Sequence, residues 1–346
     1  MCIVERVTGS GSPGHYDYVL RNPNSLLYAT PRFMSLIGQH LAAQPGWLVG
    51  KRGGETVGLL PFMRKEGALG PIFNSLAYYG SNGGVIQEKP DEEAKAGLIG
   101  FFYNMAEEEN SASATIITNP LERDSAFYHA HARHDVLDER IGQITHFPAS
   151  ASGEELLNSF QDPRPRNIRR AMREGVIVER RQDRDALDFL YATHVANMEA
   201  IGGLPKRREF FDLLPRIMNA SDWAIFLAVL RGQPVAALLV FYFNRTVEYF
   251  TPVVVETYRH TQALSLAIYK AMQESVAEGF SNWNWGGTWL NQRGVYDFKK
   301  RWGTTDYSYY YYTRIFNSAV KRQNKETLLA MYPGFYVLPF SALEHP

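Results

Sequence analysis

A single cysteine, Cys2, leaves the 346-residue chain no internal disulfide, which excludes a disulfide-stapled fold and makes a reducing compartment, the cytoplasm, the expected setting. Net charge is missing as well. Lys+Arg and Asp+Glu number 36 each, so nothing global draws the protein toward nucleic acid or an anionic membrane, and any such contact must rest on a local patch. The longest apolar run, Pro234 to Phe243, falls far short of the roughly 20 residues of a membrane helix and reads as a buried strand. Met1 to Gly14 carry Glu5, Arg6 and a Gly/Ser/Pro cluster instead of a signal-peptide core, and read as poorly ordered. No Ser-His-Asp or Cys-His pattern of a covalent nucleophile is found. His129, His131 and His134 have no Cys-x-x-Cys-like companion, so they read as chance clustering and no metal is expected.

What is present is globular: 45% hydrophobic and 21% charged residues in a chain long enough for two cores. A helix is expected over Pro31–Leu41 behind the Thr30–Pro31 start signal, then strands at Trp47–Val49 and Thr56–Phe62 around Arg52, Gly53 and Gly54. Ala94, Leu98, Phe101, Phe102 and Met105 recur at helical spacing over Asp91–Glu108, with a strand at Thr115–Thr118 behind them. The Ser/Gly/Pro-containing stretch from Ala149 to Arg164 marks a change of rhythm. Beyond it come helices at Arg166–Glu174, Asp185–Met198 and Arg208–Met218, and strands at Ala224–Leu230, Val235–Phe243 and Val247–Val254. A long helix striped by Leu264, Ala267, Ile268, Ala271, Met272 and Val276 follows, stopped by Gly279, and Trp283–Trp285 form the next strand. Hairpin, strand, helix, strand is the core order of a GNAT fold, so the class expected is α/β (α+β) with mixed sheets flanked by helices.

Three segments carry a resemblance: Arg166 to Val176, Thr257 to Leu264, and Trp285 to Thr288 followed by Gly294 to Gly303. In this order they resemble the FemAB family, including its BioF2-like or GNAT-like acyltransferases, over most of residues 145–315 and more weakly at Asn22–Tyr28 and Ser75–Gly84. The resemblance implies two tandem GNAT-like domains: 1–145 with an acceptor groove, 146–330 with a donor channel and a Phe-Lys motif, and a tail at 331–346. It also implies amide formation on an amine-bearing precursor.

Amide formation from an activated donor needs a free amine, a polarised carbonyl and groups that stabilise charge growing on oxygen. The resemblance places Lys299 in that role, beside Phe298; a lysine in the run Lys299, Lys300, Arg301 is otherwise a solvated surface residue. Arg166, Arg169, Arg170 and Arg173 fall at helical spacings, so Arg166 and Arg170, with Asn167, are candidates to grip donor phosphate, or form a merely exposed basic helix. Arg259 and Gln262 precede the long helix, whose N-terminus suits an anion. On the acceptor side the candidates are Tyr79, Ser81 and Asn82 in an aromatic-then-glycine loop, or a plain glycine turn. His194 is a candidate base or a core histidine. Tyr249 and Thr251 follow on one strand, pointing the same way by alternation, and Trp285 completes the set. The tyrosines from Tyr307 to Tyr312 read as strand packing in preference to a nucleic-acid platform.

No bound cofactor is expected; the donor is a co-substrate, aminoacyl-tRNA or acyl-CoA. Gln262 and Leu264 stand where a CoA-binding loop carries small residues, which favours aminoacyl-tRNA. The expected partners are a small-molecule amine acceptor (an amino sugar, peptide or nucleotide-linked precursor) and the tRNA acceptor end, with no DNA and no transmembrane segment. Two alternatives stand: an acyl-CoA-dependent N-acyltransferase on an amino sugar in polysaccharide biosynthesis, and an inactive GNAT tandem serving as a binding module.

Overall fold

The computed structural model describes residues 2–78, 82–148 and 153–344. They divide into two compact units, Met1–Arg140 with Ser308–Pro346, and Ile141–Tyr307. This differs from the expected 1–145, 146–330 and 331–346, because residues 308–346 belong to the first unit. The cause is a long-range pairing that local rhythm does not reveal: Tyr311 to Ile315 lie antiparallel to Ile117 to Ser113. Nor is the C-terminal segment a tail. Tyr332 is fully buried, its hydroxyl donates to the Gly70 carbonyl at 2.8 Å, and Asn74 and Tyr336 exchange side-chain-to-backbone bonds at 2.8 and 2.9 Å.

The first unit opens with β1 (Ile3–Thr8), α1 (Pro13–Arg21) and α2 (Pro31–Leu41). The N-terminus expected to be poorly ordered is thus a strand paired antiparallel with β2 (Gln44–Arg52). At the start of α2, the Thr30 hydroxyl accepts from the Phe33 amide at 3.3 Å and Pro31 opens the first turn, as an N-cap and N1 proline should. β2 turns into β3 (Glu55–Lys65) through Gly53 and Gly54, both at positive φ, the conformation a two-residue hairpin requires. β4 (Ile72–Asn74), α3 (Glu92–Glu108) and β5 (Ser113–Ile117) follow, with the Asp91 side chain capping α3 through the Ala94 amide at 3.0 Å. The strand order is β1-β2-β3-β4-β5, then the strand Thr304–Ile315. Leu98, Phe102 and Met105 of α3 are buried against this sheet with Leu48, Phe62 and Phe73. α4 (Ser125–His131) ends in the histidine cluster, where His131 and His134 engage the Phe127 and Ala132 carbonyls and His129 the Tyr312 hydroxyl.

The division between units falls inside β6 (Val136–His146). The second unit continues with α5 (Gly153–Asn158), α6 (Arg164–Arg173), β7 (Ile177–Arg181), α7 (Arg184–Glu199), α8 (Arg208–Ile217), β8 (Trp223–Leu230), β9 (Gln233–Phe243) and β10 (Thr246–Val254). Next are α9 (Ala263–Ala277), β11 (Asn282–Trp289), α10 (Arg293–Lys300) and β12 (Thr304–Ile315), and the chain ends with α11 (Lys325–Met331) in the first unit. Strand order here is β6-β11-β10-β9-β8-β7. The pairs from β7 to β10 are antiparallel, and β10 and β11, joined across α9, run parallel. The expected apolar stripe of α9 is widened, since Ala263, Leu266 and Tyr269 are buried alongside Ala267, Ile268, Ala271 and Met272. They pack with Ile168, Phe160, Trp283, Trp285 and Trp302 into one core, each fully buried Leu, Ile or Phe contributing about 1.5–3 kcal/mol of transfer free energy.

Candidate active site

β10 and β11 pair only from Thr246–Asn282 to Glu248–Asn284, although β10 runs on to Val254 and β11 to Trp289. Past Glu248 the two strands part. Two local devices bend them. On β10 a bulge at Phe250 shifts register, so Tyr249 sits opposite Val240 and Thr251 opposite Leu239; a bulge leaves one residue unpaired and turns the strand. On β11 the Asn284 side chain accepts from the Gly286 amide at 2.9 Å, and Gly286 adopts φ +71 with open space where a Cβ would stand. Glycine is used there for its backbone conformation.

The bulge corrects one expectation. Consecutive residues of β9 face opposite sides of the sheet, so Tyr249 and Thr251 do not point the same way. Tyr249 packs with Val240 against the α9 core, its ring 4.7 Å from that of Trp285. Thr251 is buried without a hydrogen-bond partner for its hydroxyl. Burial raises the Tyr249 phenol well above its ordinary range, and the nearby Arg164 cation pulls the other way.

Lys299, on α10, is 6% exposed instead of solvated. Its amino group donates to the Gly286 carbonyl at 3.2 Å, the Gly287 carbonyl at 3.1 Å and the Thr288 hydroxyl at 2.9 Å. Thr288 commits its own proton to the Gln143 side-chain carbonyl at 3.1 Å, and the Gln143 amide donates to the Tyr296 carbonyl at 3.2 Å. The lysine therefore faces three acceptors and no donor, an arrangement that suits the ammonium form with its three protons. Burial acts oppositely and lowers its pKa from 10.5 to about 7. No carboxylate pairs with it among the described salt bridges.

Trp285, expected to touch the acceptor, is instead a core residue, 2% exposed. Its indole N–H donates to the Thr145 hydroxyl at 2.9 Å, which donates in turn to the Trp302 carbonyl at 3.0 Å. The indole therefore has no donor left for a ligand. Phe298 is half-buried beside it, ring centroids 6.2 Å apart. A residue outside the expected set joins this cluster: Arg164, 7% exposed, lies with its guanidinium 4.2 Å over Phe298 and 5.3 Å from Trp302. Helical spacing is the signal that finds it, since Arg164 precedes Ile168 by one turn and Ala171 by two, and all three are buried.

None of the remaining candidates is among the residues that bond the Lys299 amino group. Arg166 and Arg170 are on the exposed side of α6, Arg170 paired with Glu174 at 2.8 Å, and Asn167 is half-buried. Arg259 is exposed in the turn before α9. Gln262 takes the left-handed conformation at φ +60 and returns its side-chain amide to the Arg259 carbonyl at 3.2 Å. His194 is 5% exposed, and its Nε2 accepts the Lys206 amide at 2.9 Å. Burial and the Lys206 cation lower its pKa to about 4, so it is a neutral ring whose lone pair is occupied, which removes it as a base. Asn82, in the first unit, donates to the Thr118 carbonyl at 3.0 Å; Tyr79 and Ser81 lie outside the described residues. A cavity of about 640 Å³ at the C-terminal end of α9, lined by Phe147, Leu156, Gln273 and Phe280, contains neither Lys299 nor Arg164.

Residues 164–300 match the family model described as an acetyltransferase (GNAT) domain. The match begins at Arg164 and ends one residue past Lys299. No curated protein matches the chain in sequence. Among solved structures it is similar to the crystal structure of FemX, with TM-score 0.71 and 16% identity over 91% of this chain and 98% of that one. It is also similar to L-PGS from Bacillus licheniformis, with TM-score 0.55 and 13% identity over 92% and 95%. A third is a tandem GNAT protein from the clavulanic acid biosynthesis pathway, with TM-score 0.54 and 11% identity over 91% and 99%. No described helix is long and apolar enough to cross a membrane. By fold the chain is similar to FemX and to a tandem GNAT protein, and its residues 164–300 match the acetyltransferase (GNAT) domain model.

Proposed function

We propose that this acyltransferase joins an activated acyl group to an amine, and that the reaction takes place in the second unit where β10 and β11 part. The observation that carries the reading is Lys299: a buried cation without a carboxylate, held by three oxygen acceptors at the bend of β11. A preorganised positive charge in a low-dielectric site is worth most where negative charge develops. In the proposed step the acceptor amine attacks the donor carbonyl. A C–N bond forms, the donor's ester bond breaks, and the proton lost by nitrogen ends on the leaving oxygen. Lys299 exchanges its longest bond, to the Gly286 carbonyl, for the developing oxyanion. No covalent enzyme intermediate is required.

Aminoacyl-tRNA is the proposed donor and a small amine-bearing precursor (an amino sugar, peptide or nucleotide-linked compound) the acceptor. Support comes from the turn before α9. Gln262 occupies the left-handed position and folds its side chain back onto the Arg259 carbonyl, where a glycine would leave the backbone open to wrap a pyrophosphate. The fold likeness to L-PGS and to a tandem GNAT protein of clavulanic acid biosynthesis agrees with acyl transfer as the reaction class.

Purified protein is offered amine acceptors together with a charged tRNA pool or with mixed acyl-CoAs, and products are read by mass. Transfer from charged tRNA, abolished by ribonuclease and lost in Lys299→Ala, is expected. Transfer from acyl-CoA alone would replace the donor assignment, and silence with both donors would sink the enzymatic reading.

A further inference from the structure

We propose that Arg164 is the receptor for a substrate oxyanion, a carboxylate or phosphate group, bound against the aromatic wall formed by Phe298 and Trp302. Three cations are buried among the described residues: Arg140, Arg164 and Lys299. Arg140 is paired with Asp138, and Lys299 has its three oxygen acceptors. Arg164 has neither. Its Nη2 donates to the Phe298 carbonyl at a long 3.4 Å, and its buried Nε has no acceptor among the described residues. Arg301 is its electrostatic neighbour of like sign and the Tyr249 phenol acts weakly the other way, with no carboxylate paired to Arg164 among the described residues; burial and the Arg301 repulsion hold its pKa down at about 10.

Buried cations without an anion are disfavoured, and an unmet buried donor adds to the cost. The aromatic faces of Phe298 and Trp302 offset part of this by cation–π attraction, but they leave the in-plane N–H groups unmatched. Those groups form the planar fork that fits a carboxylate or phosphate edge-on. An apolar side chain would fill the same slot with no such cost. The guanidinium is therefore arranged for a ligand, and its place beside Phe298, which precedes Lys299, puts that ligand next to the reacting centre. That the anion is a substrate group rests on the proposed acyl transfer; the binding site itself does not.

The 346-residue protein is titrated with sodium pyrophosphate, phosphate and acetate at constant ionic strength, following thermal midpoint and tryptophan emission. A saturable rise in midpoint, with an emission change from the neighbouring Trp285 and Trp302, is expected for at least one probe. A response to pyrophosphate or phosphate assigns a phosphate group, and a response to acetate a carboxylate. Arg164→Gln should weaken that binding about tenfold or more, the scale of a charge-assisted hydrogen bond, and Arg164→Lys by less. Arg164→Met guards against a folding defect: it should keep or raise the unliganded midpoint and lose the anion response. No saturable response to any probe in the wild type, or an equal response in Arg164→Met, overturns the proposal. Because the readout needs no turnover, anion binding without acyl transfer would refute the reaction and leave the site standing, and the reverse result would refute the site alone.

Discussion

Replacing Lys299 by methionine removes the charge and keeps much of the bulk, so it separates what the ammonium does for the reaction from what the side chain does for the fold. Burial lowers the amine from 10.5 to about 7, which at about 1.36 kcal/mol per pH unit disfavours the charged form by about 5 kcal/mol. Against this stand three bonds from a charged donor, about 1.5–3 kcal/mol each. The two contributions nearly offset, so Lys299→Met should change unfolding free energy in urea by no more than about 2 kcal/mol, whereas Lys299→Ala adds a cavity and should cost about 2–4 kcal/mol. Acyl transfer should fall by about a hundredfold or more in both. The pH profile discriminates further. If the ammonium is the acting form, the wild-type rate declines as pH rises through about 7, the decline keeps its position for acceptors of different amine pKa, and it vanishes in Lys299→Met. Stability has the opposite sign: the unfolded lysine holds its proton up to 10.5, so this group's contribution to stability grows as pH rises from about 7 to 10.5. An enzyme-borne limb that ascends through 7 and disappears with Lys299 would make the residue a base and refute the reasoning. Activity of Lys299→Met within twofold of wild type would do so more simply.

Gly286→Ala forces a side chain into a left-handed position, costing about 1–2 kcal/mol, and re-aims the carbonyls that hold Lys299. Its loss of transfer rate should exceed its loss of stability, measured by kinetics and urea titration on one preparation. Thr145→Val deprives the Trp285 indole N–H of its acceptor in the core and should cost about 1–3 kcal/mol, seen as an earlier urea midpoint with unchanged acceptor KM. His194 has its pKa lowered to about 4, so acid favours the unfolded chain, which protonates first. The His194 contribution to stability should fall by about 2.5 kcal/mol between pH 6.5 and 4, and His194→Gln should flatten that slope in thermal denaturation.

Periodicity made much of the fold legible. α2, α3, α7 and α9 carry apolar spacing and plain start or stop signals, and β8, β9 and β10 are runs bounded by turns. What stayed hidden depends on partners distant in sequence. β1 is a mostly exposed strand whose Ile3, Val4 and Val7 make no alternating apolar face, and its pairing with β2 makes it a strand. The return of residues 308–346 to the first unit rests on β12 meeting β5, a contact in which Thr115 and Thr313 face each other from positions 198 residues apart. Alternation along β10 failed at one point, the bulge at Phe250, since a single inserted residue reverses every side chain beyond it.

The site was legible to the extent that it depends on the Trp285–Thr288 and Phe298–Lys299 segments, and obscure where it depends on burial. Read as a basic helix, α6 offers Arg166 and Arg170, two of its four exposed arginines. An exposed arginine is well hydrated, and Arg170 already has Glu174, so neither needs a ligand to be stable. Arg164 lies on the face of Ile168 and Ala171, where a charge conflicts with the apolar pattern. Such a conflict between local pattern and residue type is where functional residues are expected. In a helix with five arginines the informative one is the arginine whose spacing places it in the core, and the same test applied to α10 selects Lys299 over Lys300 and Arg301.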